Sequence, residues 1–409
     1  MPMLKLLNTT VQKISEGWFN YLKHNHEWQE KEQSGRPIAL IIFWSFICIY
    51  FVMTIFKVLL NAHKFPIRYR WTELLINYQG GFMRRGLLGE FFFQLQPWIP
   101  TQVSASVLIF TSYCLFTFLF LNYLKKLPAI VFFFFVFSPA ALLFPIYEPT
   151  CFGRKDSFVL CAFALALFSF ARFTNYKAKI ISFVSVYAIG TLIHECCIFF
   201  APLTACLLVF SMAKDHTRSF RRKVLLALFS YILLLVCLLL YFTSLKPDAG
   251  DIVKSWAPYF PNLTRPEGAL EYIAVDFKFL LLETKNQVMR FNDFTWPFLM
   301  DFGWAFLPTL LLLAHTRHLD FFKDLRQSDP LLFLILVGSF LTPFVLFCIQ
   351  DWGRWIYFIS IHTFIFLVML INFGLVEYRA VPPLSKFHSG LYLIFFLCYV
   401  LLWRMPHLR

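Results

Sequence analysis

Charged side chains are scarce in this sequence. Asp, Glu, Lys and Arg make up 15% of the 409 residues, whereas they make up roughly a quarter of a soluble globular domain. Apolar residues make up 59%, include 54 Phe, and recur in runs of roughly 17 to 25 residues, the length that crosses a bilayer. The composition therefore excludes an ordinary soluble domain and predicts an all-α fold, a polytopic bundle of transmembrane helices.

Motifs typical of metal and cofactor sites are also missing. The ten cysteines form no CxxC pair, and no Cys/His spacing is typical of a zinc site. HExxH is absent as well, which argues against a zinc protease. We therefore predict no metal and no cofactor.

No internal repeat or low-complexity linker divides the chain. The polar residues 1–36 predict a cytoplasmic N-terminal segment rather than a cleavable signal peptide. Residues 37–409 are predicted to form a single membrane-embedded domain with a larger periplasmic loop at about 245–293.

The apolar runs predict about eleven spans. The run at 180–213 is too long for one ordinary span, and lysines or arginines flank both of its ends. Because basic residues favour cytoplasmic loops, we expect this run to be a hairpin with its tip near Gly190–Glu195. The predicted spans are 37–61, 103–124, 128–146, 157–173, 180–193, 196–213, 224–244, 294–314, 330–350, 355–376 and 388–403.

The same rule places the N-terminus in the cytoplasm and predicts a multi-pass membrane protein. Much of the net charge of +14 then belongs to cytoplasmic loops near anionic lipid head groups, so no nucleic-acid binding is predicted. The outer side collects the polar motifs "NYQGGFMRRGLLGE", "YEPTCFGRKD", "HE" and "DWGRW". We therefore predict an outward-facing polar cavity.

Arginine and lysine residues on this outer side are unexpected, because the positive-inside rule disfavours them there. A shared anionic ligand would explain them, since guanidinium groups bind phosphate oxygens bidentately. Ion pairing is the alternative, with Glu90 for the arginines of "MRRG", Asp351 for the arginine of "DWGRW", and Asp156 as a helix cap. The candidate pyrophosphate-binding residues are Arg84, Arg85, Arg154, Lys155 and Arg354.

A transfer reaction would also need a proton acceptor near these cations. Ionisable residues near the apolar layer are usually functional, although a hairpin tip can be polar merely because it is wet. Asp301 is a further acidic residue within a predicted span. The candidate catalytic residues are Glu195, His194, Glu148 and Asp351.

Through "GGFMRRGLLGE", "GRKD" and "DWGRW", the chain resembles bacterial surface-polysaccharide membrane proteins, in particular O-antigen or capsule repeat-unit polymerases and type C glycosyltransferases. The resemblance implies an enzyme that uses undecaprenyl-pyrophosphate-linked saccharides at the periplasmic face, with arginines on the pyrophosphate. It also implies a lipid-linked oligosaccharide, membrane lipids and polysaccharide-assembly proteins as partners.

The first outer loop lacks the Asp typical of metal-dependent type C enzymes and offers only Glu73 and Glu90 as acids. This departure favours the metal-independent polymerases or ligases. A flippase or transporter of an anionic lipid-linked saccharide remains an alternative, as does another membrane transferase that modifies glycans.

Overall fold

The computed structural model describes residues 35–60, 69–148, 151–245, 248–273, 282, 302–348, 351–379 and 386–405. These ranges contain helices and no β-strand, so the predicted all-α class is confirmed for them. The helices are α1 (Gly35–Leu60), α2 (Tyr69–Thr72), α3 (Gly86–Leu95), α4 (Thr101–Tyr123), α5 (Ala129–Val136), α6 (Phe144–Tyr147), α7 (Asp156–Arg172), α8 (Tyr176–Ile193), α9 (Cys197–Phe210), α10 (Arg218–Ser244), α11 (Ala249–Trp256), α12 (Leu307–Ala314), α13 (His318–Ser328), α14 (Pro330–Leu341), α15 (Trp352–Asn372) and α16 (Lys386–Leu401).

Five helical segments of the described chain are long and apolar enough to cross a membrane: Leu40–Lys57, Thr101–Lys126, Tyr176–Ile193, Arg218–Phe242 and Trp352–Asn372. Shorter apolar helices occur at Cys197–Phe210, Pro330–Leu346 and Leu391–Leu401. This pattern is that of a membrane protein.

Helix α15 forms the centre of the bundle, whereas α1 lies at its edge. Nearly all residues of α15 are buried, as expected for a helix that is apolar all round. Helix α1 instead exposes large apolar side chains, among them Ile41 and Ile49 at 65% and 63%. Lipid is the solvent that suits such a surface.

The hairpin predicted within residues 180–213 is present. Helix α8 ends at Ile193 and α9 begins at Cys197, so the tip consists of His194, Glu195 and Cys196. The side chain of Asn175 accepts a hydrogen bond from the backbone N–H of Lys177 and caps the start of α8. The break in the apolar run is therefore where the flanking charges predicted it.

One predicted span, 128–146, is not a continuous helix. It divides into α5 and α6, with a turn between them. The turn contains Pro139, which lacks an N–H and disfavours helical geometry at Ser138. The Ser138 hydroxyl instead accepts a hydrogen bond from the N–H of Ala140 at 3.1 Å. The predicted span 330–350 likewise changes from α14 to a 3₁₀ helix at Thr342–Cys348.

Helices α4, α7 and α15 run in the same direction. Near the start of α7, the hydroxyls of Ser112 and Ser157 are 2.6 Å apart. Further along, Tyr123 donates to the carbonyl of Ala164 at 3.1 Å, and its own carbonyl accepts from Asn372 at 3.0 Å. The first residues of α7 and α15 therefore lie at one end of the bundle, together with the tip of the α8–α9 hairpin.

Basic residues collect at the opposite end. Lys179, near the start of α8, reaches the hydroxyl of Ser211 at 3.2 Å. Arg222, near the start of α10, contacts Asp329 at 2.7 Å. Lys179 and Arg222 therefore lie at the end of the bundle opposite to the hairpin tip.

A short segment, residues 248–273, packs on the arginine-containing loop. The N–H of Asp248 donates to the carbonyl of Gly80 at 3.0 Å, and the indole N–H of Trp256 donates to the carbonyl of Leu75 at 2.8 Å. A Cβ at Gly80 would lie 2.1 Å from the carbonyl oxygen of Asp248. Glycine is needed here for contact between two backbones.

Candidate functional site

Ionisable side chains from distant parts of the sequence meet at the end of the bundle formed by the hairpin tip and the first residues of α7 and α15. We call this set the ionic cluster. It contains all five predicted cations and three of the four predicted catalytic residues, together with two further acids. Its members are Glu73, Arg84, Arg85, Arg154, Lys155, Asp156, His194, Glu195, Asp351 and Arg354.

Glu195 lies between two adjacent arginines. The Nε of Arg85 donates to the two carboxylate oxygens at 2.9 and 2.6 Å, and its Nη2 also donates to Oε1. The Nη1 of Arg84 lies 3.8 Å from Oε1. The pairing of Glu195 with Arg85 is therefore a bidentate contact, the strong form of an arginine–carboxylate pair.

Asp351 lies between the other two arginines in a similar way. Its Oδ2 accepts from the Nη1 of Arg154 at 2.8 Å and from the Nη1 of Arg354 at 3.0 Å. The guanidinium of Arg354 also stacks on Trp355, 4.2 Å from the ring centre. The cluster thus contains two arginine pairs, each with a carboxylate between its members.

Glu73 joins the two pairs. It is fully buried, with its carboxylate oxygens 3.2 Å from the Nη1 of Arg85 and 3.5 Å from the Nε of Arg154. Burial raises the pKa of Glu73, but the charges of Arg154 and Arg85 outweigh burial and lower the pKa below its usual value. Glu73 was not among the site residues predicted from the sequence.

The cluster has an accessible rim and a buried floor. The rim consists of Arg84, Arg85, Glu195 and Asp351, whose side chains are 12 to 19% exposed. The side chains of the floor are at most 8% exposed. The floor consists of Glu73, Arg154, Lys155, Asp156, His194 and Arg354. An incoming ligand would first meet two cations and two carboxylates.

Two rim residues have unusual backbones. Arg85 has φ +65° and Asp351 has φ +87°, and no other non-glycine residue of the described chain has a positive φ. They are the residues immediately before α3 and α15. Such strain is concentrated at functional sites, where the surroundings maintain it.

Lys155 supports one of these backbones. Its Nζ donates to the carbonyl oxygen of Arg85 at 2.6 Å. Burial lowers the pKa of Lys155 to about 7. Lys155 was predicted as a pyrophosphate ligand, but the structure places it beneath the rim, where it holds the main chain of Arg85.

The hydrogen bonds of His194 argue against its predicted role as proton acceptor. Its Nδ1 accepts from the backbone N–H of Cys196 at 3.2 Å, so the proton of the neutral ring is on Nε2. Nε2 lies 3.5 Å from Glu73. Burial and the charge of Arg85 hold the pKa of His194 well below its usual value. The ring nitrogen that could accept a proton is therefore already hydrogen-bonded to the main chain.

The ion pairs named above do not include two other acids. Glu148, the fourth predicted catalytic residue, directly follows α6. Glu90, the suggested partner of Arg84 or Arg85, instead accepts from the N–H of Tyr78 at 3.0 Å.

Asp156 makes no side-chain capping hydrogen bond at the start of α7 and lies 3.6 Å from the Nε of Arg354. Asp301 lies outside the described residues. Within the described ranges, no three His, Cys, Asp or Glu side chains form a group that could hold a metal ion.

No protein-family model, curated protein or solved structure matches this chain.

Proposed function

We propose that this protein is an integral membrane glycosyltransferase that polymerises polyprenyl-pyrophosphate-linked oligosaccharide repeat units. In this proposal the chain crosses the bacterial inner membrane about eleven times with its N-terminus in the cytoplasm. The ionic cluster then faces the periplasm, and its partners are the lipid-linked oligosaccharide, membrane lipids and proteins of polysaccharide assembly.

The observation that carries the proposal is the composition of the rim. Two accessible arginines stand beside two accessible carboxylates at one end of an apolar helical bundle. Arginines at this position suit a phosphate head group whose lipid tail lies among the helices. The carboxylates suit the removal of a proton from an acceptor hydroxyl. One site thus offers both chemical groups that sugar transfer from a lipid pyrophosphate needs.

In the proposed reaction, the acceptor hydroxyl oxygen forms a bond to the anomeric carbon of the donor sugar. The bond from that carbon to the pyrophosphate oxygen breaks, and the lipid pyrophosphate leaves with the electron pair. A rim carboxylate, Glu195 or Asp351, takes the hydroxyl proton. Arg84, Arg85, Arg154 and Arg354 stabilise the charge that develops on the leaving group.

The buried floor supports this chemistry by keeping the arginines in place. Glu73 contacts Arg85 and Arg154 from below, and Asp156 lies beside Arg354. Charges fixed in a poorly solvated site act more strongly on a developing charge than charges in water, and they need little reorganisation during the reaction.

Transport of an anionic lipid-linked saccharide is a second candidate function. The interruption between α5 and α6 favours it, because transporters use broken helices. Transporter sites, however, lie near the middle of the bilayer. The ionic cluster instead lies where α8 ends and α15 begins. Its position therefore supports the transferase more than the transporter.

The test compares surface glycan length in a deletion strain with that in the same strain complemented by wild-type, Arg85→Ala or Arg222→Ala protein at matched membrane abundance. Arg222 is the control because it pairs with Asp329 at the opposite end of the bundle. We expect Arg85→Ala to reduce chain elongation by roughly 100-fold or more, with single repeat units retained, because a preorganised charge contact to the leaving group is lost. Arg222→Ala should elongate normally.

A normal glycan ladder in the deletion strain would refute the polymerase. Loss of both long chains and single repeat units at the outer surface, with lipid-linked units accumulating inside, would instead favour transport.

A further inference from the structure

The two rim carboxylates occupy equivalent positions in the ionic cluster. Glu195 lies between Arg84 and Arg85, and Asp351 lies between Arg154 and Arg354. Each therefore occupies the place where an oxyanion would contact two guanidinium groups. Phosphate and carboxylate oxygens compete for the same guanidinium geometry.

From this geometry we infer that Glu195 and Asp351 are internal placeholders for the two phosphates of a diphosphate, which displaces each carboxylate from its arginine pair when it binds. This inference deepens the proposed function and rests on it for the identity of the ligand. It also states that the site is built for a diphosphate rather than a monophosphate.

The link between the two arginine pairs supports a single ligand. Glu73 contacts Arg85 with one carboxylate oxygen and Arg154 with the other, at 3.2 and 3.5 Å. One buried side chain therefore separates the inner members of the two pairs. A diphosphate is the simplest anion that presents two phosphoryl groups to two adjacent arginine pairs.

The exposure of the three acids supports displacement of only two of them. Glu195 and Asp351 are 12 and 19% exposed, whereas Glu73 is fully buried. Glu195 lies in the tip between α8 and α9, and Asp351 immediately precedes α15. Neither is held inside a helix, so each can move away while Glu73 continues to hold Arg85 and Arg154.

Asp351 also starts from a strained backbone, with φ +87°. A left-handed conformation is tolerated by Asp but remains less favourable than a right-handed one. Displacement from its arginines would allow this backbone to relax, which offsets part of the loss of the ion pairs.

Displacement would also change the chemistry of Glu195. Burial raises its pKa, but Arg85 outweighs burial and holds the pKa well below its usual value. When a diphosphate binds Arg84 and Arg85 in place of Glu195, the charged carboxylate of Glu195 loses this stabilisation and becomes a stronger base. The proton acceptor would then be formed only when the donor is bound.

The experiment measures binding of inorganic pyrophosphate and inorganic phosphate to the full chain in nanodiscs of neutral lipid, by titration calorimetry. It compares wild type with Glu195→Gln and Asp351→Asn. Glu267→Gln is the control, because Glu267 pairs with Arg265 on an exposed part of the chain.

We expect each rim variant to bind pyrophosphate about 10- to 100-fold more tightly than wild type, the range for loss of one competing charged contact. The control should bind as wild type does, and wild type should prefer pyrophosphate to phosphate. Rim variants that bind pyrophosphate no more tightly than wild type would overturn the inference, and so would equal binding of the two anions by wild type.

A second measurement, the thermal stability of each variant with and without pyrophosphate, can be made even if a rim variant is destabilised. Each rim variant leaves two arginines without their full counter-charge, so pyrophosphate should stabilise it against heat by a larger shift than it stabilises wild type. A thermal shift in the rim variants that is equal to or smaller than that of wild type would contradict the placeholder role of Glu195 and Asp351. Because no glycan donor is present, these measurements do not depend on chain elongation, and a failure of the placeholder inference can be distinguished from a failure of the proposed function.

Discussion

Glu73→Gln tests whether the buried floor holds the ionic cluster together. The substitution keeps the size of the side chain but removes a charge with two arginine contacts, at 3.2 and 3.5 Å. At an effective dielectric constant of about 20, each contact at such distances corresponds to roughly 5 kcal/mol of Coulomb energy. The desolvation of the three charged groups cancels much of this sum.

Breaking one partner of a buried ion pair leaves the other charges buried, and its net cost is about 3 to 5 kcal/mol. We expect Glu73→Gln to lower the free energy of unfolding by this amount. The measurement is equilibrium unfolding of the purified chain in mixed micelles at neutral pH, followed by tryptophan fluorescence.

Asp329→Asn is the matched control at the other end of the bundle. The Asp329 side chain is only 4% exposed, but those of its partners Arg218 and Arg222 are 51 and 41% exposed. These arginines can return to water when the carboxylate is lost. Asn keeps a side-chain oxygen that can accept from the N–H of Leu332 at the start of α14. Only the ion pairs are then lost, so the substitution should cost about 1 kcal/mol or less. If Glu73→Gln lowers the free energy of unfolding by no more than Asp329→Asn does, Glu73 does not hold the cluster together.

The pH dependence gives a second readout for Glu73. Because the pKa of Glu73 is lower in the folded than in the unfolded chain, its contribution to stability is full above the unfolded pKa of about 4.3. The contribution is lost as the pH falls towards the folded pKa. The difference in the free energy of unfolding between wild type and Glu73→Gln should therefore decrease below about pH 4.

Two further predictions concern stability. Lys155 has a folded pKa of about 7 and an unfolded pKa of about 10.4, so the unfolded chain binds more protons between these values. The free energy of unfolding of wild type should therefore rise relative to that of Lys155→Met as the pH increases from about 7 to about 10. A difference in unfolding free energy that stays constant over this pH range would contradict the prediction. Gly80→Ala should cost more than about 2 kcal/mol, because the new Cβ would lie 2.1 Å from the backbone oxygen of Asp248. Gly338→Ala, in the exposed part of α14 with nothing within 4 Å of the new Cβ, should be neutral or stabilising by up to about 1 kcal/mol, and an equal loss in both alanine variants would reject the steric argument.

Local sequence patterns predicted the helical class and most helix positions. Apolar runs of bilayer length require helices, because backbone polar groups in lipid must be satisfied within the segment. The basic flanks of residues 180–213 also located the hairpin. The prediction of one continuous helix at 128–146 was wrong, because it was based on the apolar run and did not take account of the local effect of Pro139.

Local patterns also selected the cations and acids that meet at one end of the bundle, but they could not determine the partners. Arg85 pairs with Glu195, which is 110 residues away, rather than with nearby Glu90. Glu73 became central only because the folded chain places it between two arginines and His194.

The sequence by itself determined that this chain is helical, apolar and basic at defined loops, since these properties depend on residue type and short spacing. Only the tertiary structure decided which charges neutralise one another, which are accessible and which ring nitrogen of His194 carries the proton. The physical reason is that ion pairing and desolvation depend on distance in space and on burial, and neither can be read from separation along the chain.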